Sequence, residues 1–463
     1  MTTYHGVQVS DPYRWLDDAG APEVRRWIDA QNAYTDTVLA TFAEGAAIRA
    51  RARELLTTTP AQFAPQLAGG TLFFLRETPP EPQPVLMAQP WPRGTARALV
   101  DINGPGDHLS LTGVWPSPKG RYVAYGTTVD GKQVTTLRVQ AAGPRVKPVR
   151  ETIPFAGGGP SPPALVWDAD ERGFTYARYP RPAARAALSP FDVALYHHRL
   201  GDPATRDTEV FGSGYSHIAE YRLIGSDGAA HAALLANDGD GSFAEVYLRT
   251  RTGWNRVADT TFGIREAAFI GDRLVAIATG HAPHGRLIAF APNGDTATLL
   301  AEGPRVLKGV APIAGGFLLT TVWGMDWRVD HYSTAGAPLH NVKLPPGIAI
   351  SAIASSARSP AAIIAFEGWS IAGRWIRYDA RKGTVTKVFD VQPAADYSKI
   401  SVRQFEVVSA DGTHVPVTVL TLRGTPQDGS APAILSSYGG FQLPVTPAFV
   451  GPNLAWLERG GIL

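Results

Sequence analysis

Between about residue 66 and residue 400 the chain is built almost entirely of short strand-like runs separated by Gly, Asp, Pro and Ser, and this limits what it can fold into. The clearest runs are TLFFLRE (71–77), RYVAYGTTV (121–129), GFTYARY (173–179), VALYHHRL (193–200), AHAALLAN (230–237), AEVYLRT (244–250), DRLVAIAT (272–279), GRLIAFA (285–291), GGFLLTTVW (315–323), RVDHYST (328–334), AAIIAFEG (361–368) and GRWIRYDA (373–380). Each is rich in the β-branched and aromatic residues that suit a pleated surface. Turns such as SPKG (117–120), DADERG (168–173) and GSDG (225–228) punctuate them, and helical periodicity is nearly absent. Two adjacent strands per unit, repeated over more than 300 residues, fit the blades of a β-propeller better than one open sheet of that size. The repeat is degenerate, carries no WD or kelch signature, and gives about six or seven units.

The flanks read differently. From Pro22 to about residue 56, Val24, Trp27, Ile28, Ala30, Tyr34, Val38 and Leu39 recur at helix-like spacings, with Pro22 and Glu23 suited to a helix start. After residue 400, SVRQFEVVSADGTHVPVTVLTLRG (401–424) predicts two strands joined at Asp411-Gly412, and APAILSSYGGF (431–441) an apolar strand entering a Gly-Gly loop. A strand that delivers such a loop at its C-terminal end is how α/β folds present active-site groups.

Composition excludes several classes. Charged residues are 18% and hydrophobic residues 44% of 463, which is the balance of a folded chain. The net charge of +2, without basic clusters interleaved with aromatics, argues against nucleic acid as a partner. The absence of cysteine removes disulfides, thiolate metal sites and a Cys nucleophile. NDGDGS (237–242) has the oxygen-rich look of a calcium loop but lacks the later bidentate Glu, so a polar turn is expected there, and neither a metal nor a cofactor is expected anywhere. The N-terminus lacks the pattern of a signal peptide and no window approaches 18 apolar residues, so no membrane association is expected. The expected location is the cytoplasm, or the periplasm if a leader precedes residue 1, and the expected state is a monomer.

Three separated strings, YHGVQVSDPYRWLDD (4–18), LYHHRLGDPATRDTEVF (195–211) and SADGTHVPVTVLTLRGTPQDGSAPAILSSYGGF (409–441), resemble the prolyl oligopeptidases, a family of serine peptidases, in the order that family has them. The DPYRWL form is closer to the prolyl oligopeptidase branch than to oligopeptidase B. The resemblance implies a mainly β chain: a seven-bladed β-propeller inserted in an α/β-hydrolase domain, of which only the N-terminal helical segment and the first strands are present. The expected division is a helical segment of the hydrolase at 1–65, the propeller at 66–400, and the start of the catalytic domain at 401–463.

An α/β-hydrolase needs its serine on a G-x-S-x-G elbow. The nearest strings fail, because Gly214-Tyr215-Ser216-His217 is followed by Ile218 and Gly368-Trp369-Ser370-Ile371 by Ala372. In the family the nucleophile, acid and base lie beyond the point where this sequence ends. His197 and His198 are therefore read as strand residues. By resemblance, Tyr438 donates its hydroxyl to the oxyanion of the tetrahedral intermediate, the alternative being a tyrosine that caps a strand. Gly439 and Gly440 would let the backbone turn sharply beside it, Phe441 would offer an apolar face to substrate or else pack in the core, and Phe174 would line the outer part of the pocket. Tyr13, Arg14 and Trp15 are expected to dock structurally. Leu454, Trp456, Leu457, Ile462 and Leu463 are expected to lack a complete core.

The resemblance thus implies the front portion of a serine endopeptidase that cleaves short proline-containing peptides after proline, with the propeller restricting access, and inactive without the missing Ser, Asp and His. The alternative is a non-enzymatic propeller that serves as an interaction scaffold.

Overall fold

A computed structural model describes every residue except 1, 105, 107, 133, 158–163, 183–188, 190, 240–242 and 441–442. After a short hairpin, Thr2–Tyr4 with Val7–Val9, two helices follow, α1 (Pro22–Ala40) and α2 (Gly45–Thr57). The chain then enters a ring of antiparallel sheets whose strands run from Ala61 to Asp390. It leaves the ring for a long hairpin, Ile400–Val408 with His414–Leu422, and ends near the short helix α3 (Leu454–Leu457).

The expectation of seven separate blades is corrected by the sheet pairing. Among the described residues five four-stranded sheets stand as discrete blades, at 61–100, 219–258, 264–300, 306–341 and 348–390. Residues 109–211 instead form one continuous eight-stranded sheet. The cause is local: strand Glu151–Ala156 bulges between Ile153 and Ala156, Phe155 takes a φ of 64°, and Ala156 is carried across to pair with Arg178 of strand Gly173–Arg178. Such a lateral pairing leaves no trace in turn spacing.

The ring holds together because several core clusters are shared by neighbouring sheets. Phe269, Leu274 and Phe290 of one blade pack with Leu235, Val246 and Leu248 of the blade before it, and Ile364, Phe366 and Tyr378 with Leu318 and Val329. The ring closes where Leu72, Phe74 and Met87 of the first blade meet Ile363, Ala365 and Trp375 of the last, with Phe74 and Trp375 edge to face at 5.6 Å. Each of those two blades consists of consecutive strands, so side-chain packing makes this seam without a shared strand. Tight turns complete the fit. Gly69, at φ 54°, approaches the Lys119 backbone so closely that a Cβ would lie 2.0 Å from its carbonyl oxygen.

Polar side chains brace the eight-stranded sheet from within. Glu171, almost fully buried in the turn before Gly173–Arg178, accepts from Ser117 Oγ at 2.5 Å and the Lys119 N–H at 2.7 Å, and also from Arg121 Nε. Deeper, His198 in strand Ala194–Arg199 is fully buried, with Nδ1 2.7 Å from Asp207 and Nε2 3.3 Å from Glu151. Tyr176 donates to the other Asp207 oxygen at 2.7 Å, and the Gly201 N–H donates to Glu151 at 2.7 Å. Arg178 lies 3.7 Å from Asp207 and 3.6 Å above the Tyr196 ring. Burial opposes the charged imidazolium of His198, but the hydrogen bonds to Asp207 and Glu151 and the attraction of both carboxylates outweigh it and raise its pKa to about 9.

Candidate functional site

The C-terminal segment builds a small sheet in which strand order departs from chain order. Ile400–Val408 pairs with His414–Leu422 through a turn where Gly412 takes a φ of 84° and Asp411 accepts the Thr413 N–H at 2.9 Å. Leu420 and Leu463 exchange two backbone hydrogen bonds, at 2.8 and 3.1 Å. On the other side of Ile462, Ala433 pairs in parallel, with the Ile434 N–H on Ile462 O and the Ile462 N–H on Pro432 O, both at 2.9 Å. Across the sheet the order is therefore 400–408, 414–422, 462–463, 432–434. The segment at 432–434 reaches its parallel neighbour by a crossover containing α3, the connection that parallel pairing requires.

Helix α2, more than 300 residues earlier in the chain, covers this sheet. Leu55 packs with Tyr397, Ile400, Leu420, Val450, Leu454, Ala455 and Leu457. Arg51 forms a two-pronged pair with Glu458, both bonds 2.9 Å, and Arg459 reaches Glu44 at 3.0 Å. The Tyr397 hydroxyl donates to Gly451 O at 3.0 Å, and burial pushes its pKa up. The expectation that the tail lacks cover is thereby corrected: Leu454 and Leu457 are buried because the N-terminal helix supplies the missing wall.

Apolar exposure lies elsewhere. Val402, Phe405, Val407, Val408 and Val415 of the long hairpin are exposed, as are Ile434, Leu435, Leu443 and Val445. On α1 only Val24 is buried, while Trp27, Ile28, Tyr34, Val38 and Leu39 face outward. Trp15 leans edge to face on Trp27 at 6.0 Å and Arg14 donates to the Tyr4 hydroxyl at 2.7 Å, yet Tyr13 is 70% exposed. These apolar side chains on α1, the long hairpin and the C-terminal loop are left uncovered.

Tyr438 stands in the loop that follows 432–434, at the C-terminal end of that short strand, 57% exposed and with no hydrogen-bond partner among the described residues. Its hydroxyl is free to donate. Neither Gly439 nor Gly440 has a positive φ, so both take backbone angles open to other residues. A Cβ at Gly440 would come within 3.2 Å of Tyr438 Oη. Phe441 lies outside the described residues, as do positions 240–242 of the NDGDGS turn. Phe174 has no exposed surface; its ring packs against Trp167 at 5.1 Å, His198 at 5.3 Å and Tyr176 at 5.8 Å, in the interior of the eight-stranded sheet. Among the described residues no contact brings it near Tyr438.

His197 and His198 both lie in strand Ala194–Arg199, as the sequence predicts, but the local pattern does not reveal the charged cluster around His198. The signal lay in LYHHRLGDPATRD, where Asp207 follows His198 by nine residues across a Gly201 turn, but Glu151 comes from a strand that no local pattern connects to it. Among the described residues no group of three or more His, Asp and Glu converges as a metal site would, and no helix is long and apolar enough to cross a membrane.

Comparison with known proteins bears on the same residues. The family described as "Prolyl oligopeptidase, N-terminal beta-propeller domain" matches residues 1–391. A prolyl endopeptidase of Elizabethkingia meningoseptica is 26% identical over 481 residues, covering 99% of this chain and 66% of that protein. Prolyl oligopeptidase A of Galerina marginata is 23% identical over 508 residues, covering 99% and 67%. A solved structure from a mechanistic study of two prolyl endopeptidases superimposes with a TM-score of 0.89 at 25% identity, covering 100% of this chain and 69% of that one. Prolyl oligopeptidase B of Galerina marginata, bound to a 35mer hydrolysis and macrocyclization substrate, shares the fold with a TM-score of 0.87 at 20% identity, over 98% and 68% of the two chains. The chain thus spans 66% of the length of the Elizabethkingia relative.

Proposed function

Since the chain belongs to the prolyl oligopeptidase family, we propose that it supplies the propeller and the opening strands of the hydrolase module in a serine endopeptidase that cleaves short peptides after proline. The observation that carries this reading is the strand order at the C-terminus. A sheet running 400–408, 414–422, 462–463, 432–434, with a helical crossover and parallel pairing, is the beginning of an α/β sheet and has no place in a propeller blade. In this reading α2 and the C-terminal sheet, which pack together, belong to one module, and the ring, whose strands run from Ala61 to Asp390, is inserted between them.

In this reading a serine beyond Leu463 attacks the peptide carbonyl, and Tyr438 donates its unpaired hydroxyl to the oxygen as negative charge develops there. Phe441 forms an apolar wall for the substrate. The exposed faces of α1 and the long hairpin pack against the rest of the catalytic module, and the propeller limits entry to short peptides. A polypeptide of these 463 residues alone forms no acyl intermediate, since it carries an oxyanion donor without a G-x-S-x-G serine.

Reading the codons that follow Leu463 tests this directly. A frame continuing through G-x-S-x-G, then an Asp and a His, supports the reading, and a stop codon there in independent isolates rejects it. In the continuous protein Tyr438→Phe should lower kcat by roughly 10²–10³-fold while leaving KM nearly unchanged, the pattern of a contact made mainly in the transition state. An unchanged kcat would remove Tyr438 from the mechanism.

A further inference from the structure

At the outer edge of the eight-stranded sheet, against the next blade, lies a cleft of about 360 Å³ walled by Phe211, Tyr215 and Tyr247, with Glu209 on its rim. Phe211 is the centre of the aromatic group, its ring 4.9 Å from Tyr247, 5.5 Å from Tyr215 and 5.7 Å from Tyr221. Strand Thr208–Phe211 sets Glu209 and Phe211 in place, and the turn after it returns Tyr215 beside them, with the Tyr215 N–H on Gly212 O at 2.9 Å.

The electrostatics of the walls favour a positive guest. Tyr215 and Tyr247 both direct their hydroxyls to Glu245 Oε2, at 3.1 and 2.6 Å, and donation to a carboxylate enriches the electron density of a phenol ring. The other Glu245 oxygen is neutralised by Arg256 at 2.6 Å. Glu209 is different. It accepts the Ser213 N–H at 2.8 Å and the Tyr196 hydroxyl at 3.4 Å, but it has no cationic partner among the described residues. Behind the wall Tyr221, itself 94% buried by its 6% relative exposure, has a hydroxyl with no partner, and burial together with the nearby Tyr247 and Glu209 keeps that hydroxyl protonated.

We propose that this cleft binds an alkylammonium group, held over the faces of Phe211, Tyr215 and Tyr247 and paired with Glu209. Aromatic faces attract a cation through the ring quadrupole, and a fixed carboxylate at the rim adds the charge that a plain apolar cleft lacks. The site lies in the propeller and does not depend on the peptidase reading.

Saturation-transfer NMR on the whole chain, with butylammonium and its neutral counterpart 1-butanol as probes, tests the proposal. Butylammonium should saturate the site and 1-butanol bind about five-fold or more weakly, with Glu209→Gln and Phe211→Leu each removing most of that difference. Glu209→Gln sits on an exposed rim, and an unchanged melting temperature shows that the fold is intact. Nα-acetyl-lysine amide competing better than alaninamide identifies a side-chain ammonium as the guest, and the reverse an amino terminus; either result supports the site. Equal binding of butylammonium and 1-butanol, no binding of either, or full binding to a folded Glu209→Gln protein overturns it.

Discussion

His198 is the sharpest handle on the propeller, because its charge is buried and its partners are few. In the folded chain its pKa stands at about 9 against 6.5 for the free side chain, so the folded state binds the proton more tightly than the unfolded one. The stabilisation is fully present below pH 6.5 and is lost as pH rises through 9. A pKa so raised corresponds to about 3 kcal/mol of stabilisation. The groups that face the ring are Asp207, Glu151, Arg178 and Tyr176, and burial together with Asp207 pushes the Tyr176 hydroxyl above its usual range. Hydrogen exchange of peptides covering Ala194–Arg199 and Gly173–Arg178, corrected for intrinsic rates, should report opening that becomes about a hundred-fold easier between pH 6.5 and pH 9.5. His198→Gln should destabilise the sheet by about 3–5 kcal/mol at pH 6 and abolish the pH step, since it leaves two buried carboxylates without a cation on the ring side. A wild-type protein whose protection is flat across that range would refute the claim that the imidazolium is the buried species.

Other perturbations probe different links. Trp375→Ala removes a side chain that is 2% exposed and touches both Phe74 and Phe389, so it should cost about 3–5 kcal/mol in urea denaturation, with exchange rising first at the seam between 61–100 and 348–390. Phe74→Ala shares that contact, and the double variant should cost less than the sum of the two. Glu171→Ala strips the Ser117 hydroxyl and the Lys119 N–H of a buried acceptor and should cost about 2–3 kcal/mol, whereas exposed Glu302→Ala should change the melting temperature little.

The parts of the fold that could be read in advance are those whose burial leaves a sequence pattern. Ala361–Gly368 and Gly316–Trp323 sit in the middle of their blades, are buried on both faces over most of their length, and appear as mainly apolar runs interrupted by Glu367 and by Thr320 and Thr321. The innermost and outermost strands do not. Val306–Ile313 contains Lys308, Gly309 and Pro312, and Pro338–Asn341 is exposed throughout, so neither carries a strand-like alternation. Blade number failed for another reason, since the pairing of Ala156 with Arg178 depends on a bulge that composition does not encode. The α1 stripe was legible as a helix, but its apolar face turned out exposed, because periodicity reveals a face and not what covers it. The same limit applies to the tail, where burial of Leu454 depends on Leu55, nearly 400 residues away.

Among the candidate site residues, Tyr438 is proposed through a motif, and the structure leaves it exposed in the loop after 432–434. The place of Phe174 was not legible: its string GFTYARY shows a strand residue, while the choice between pocket and interior depends on His198 and Trp167 from other strands. Charge clusters assembled from distant strands, such as Glu151 with His198 and Asp207, leave the weakest trace of all.

The central claim is that these residues hold an oxyanion donor and a substrate filter without a nucleophile. Treating purified 1–463 with a fluorophosphonate probe and a proline-linked chromogenic peptide tests it most directly. The account predicts no covalent label and no hydrolysis, with both acquired by a polypeptide that continues through a G-x-S-x-G serine; labelling or turnover by 1–463 itself would contradict it.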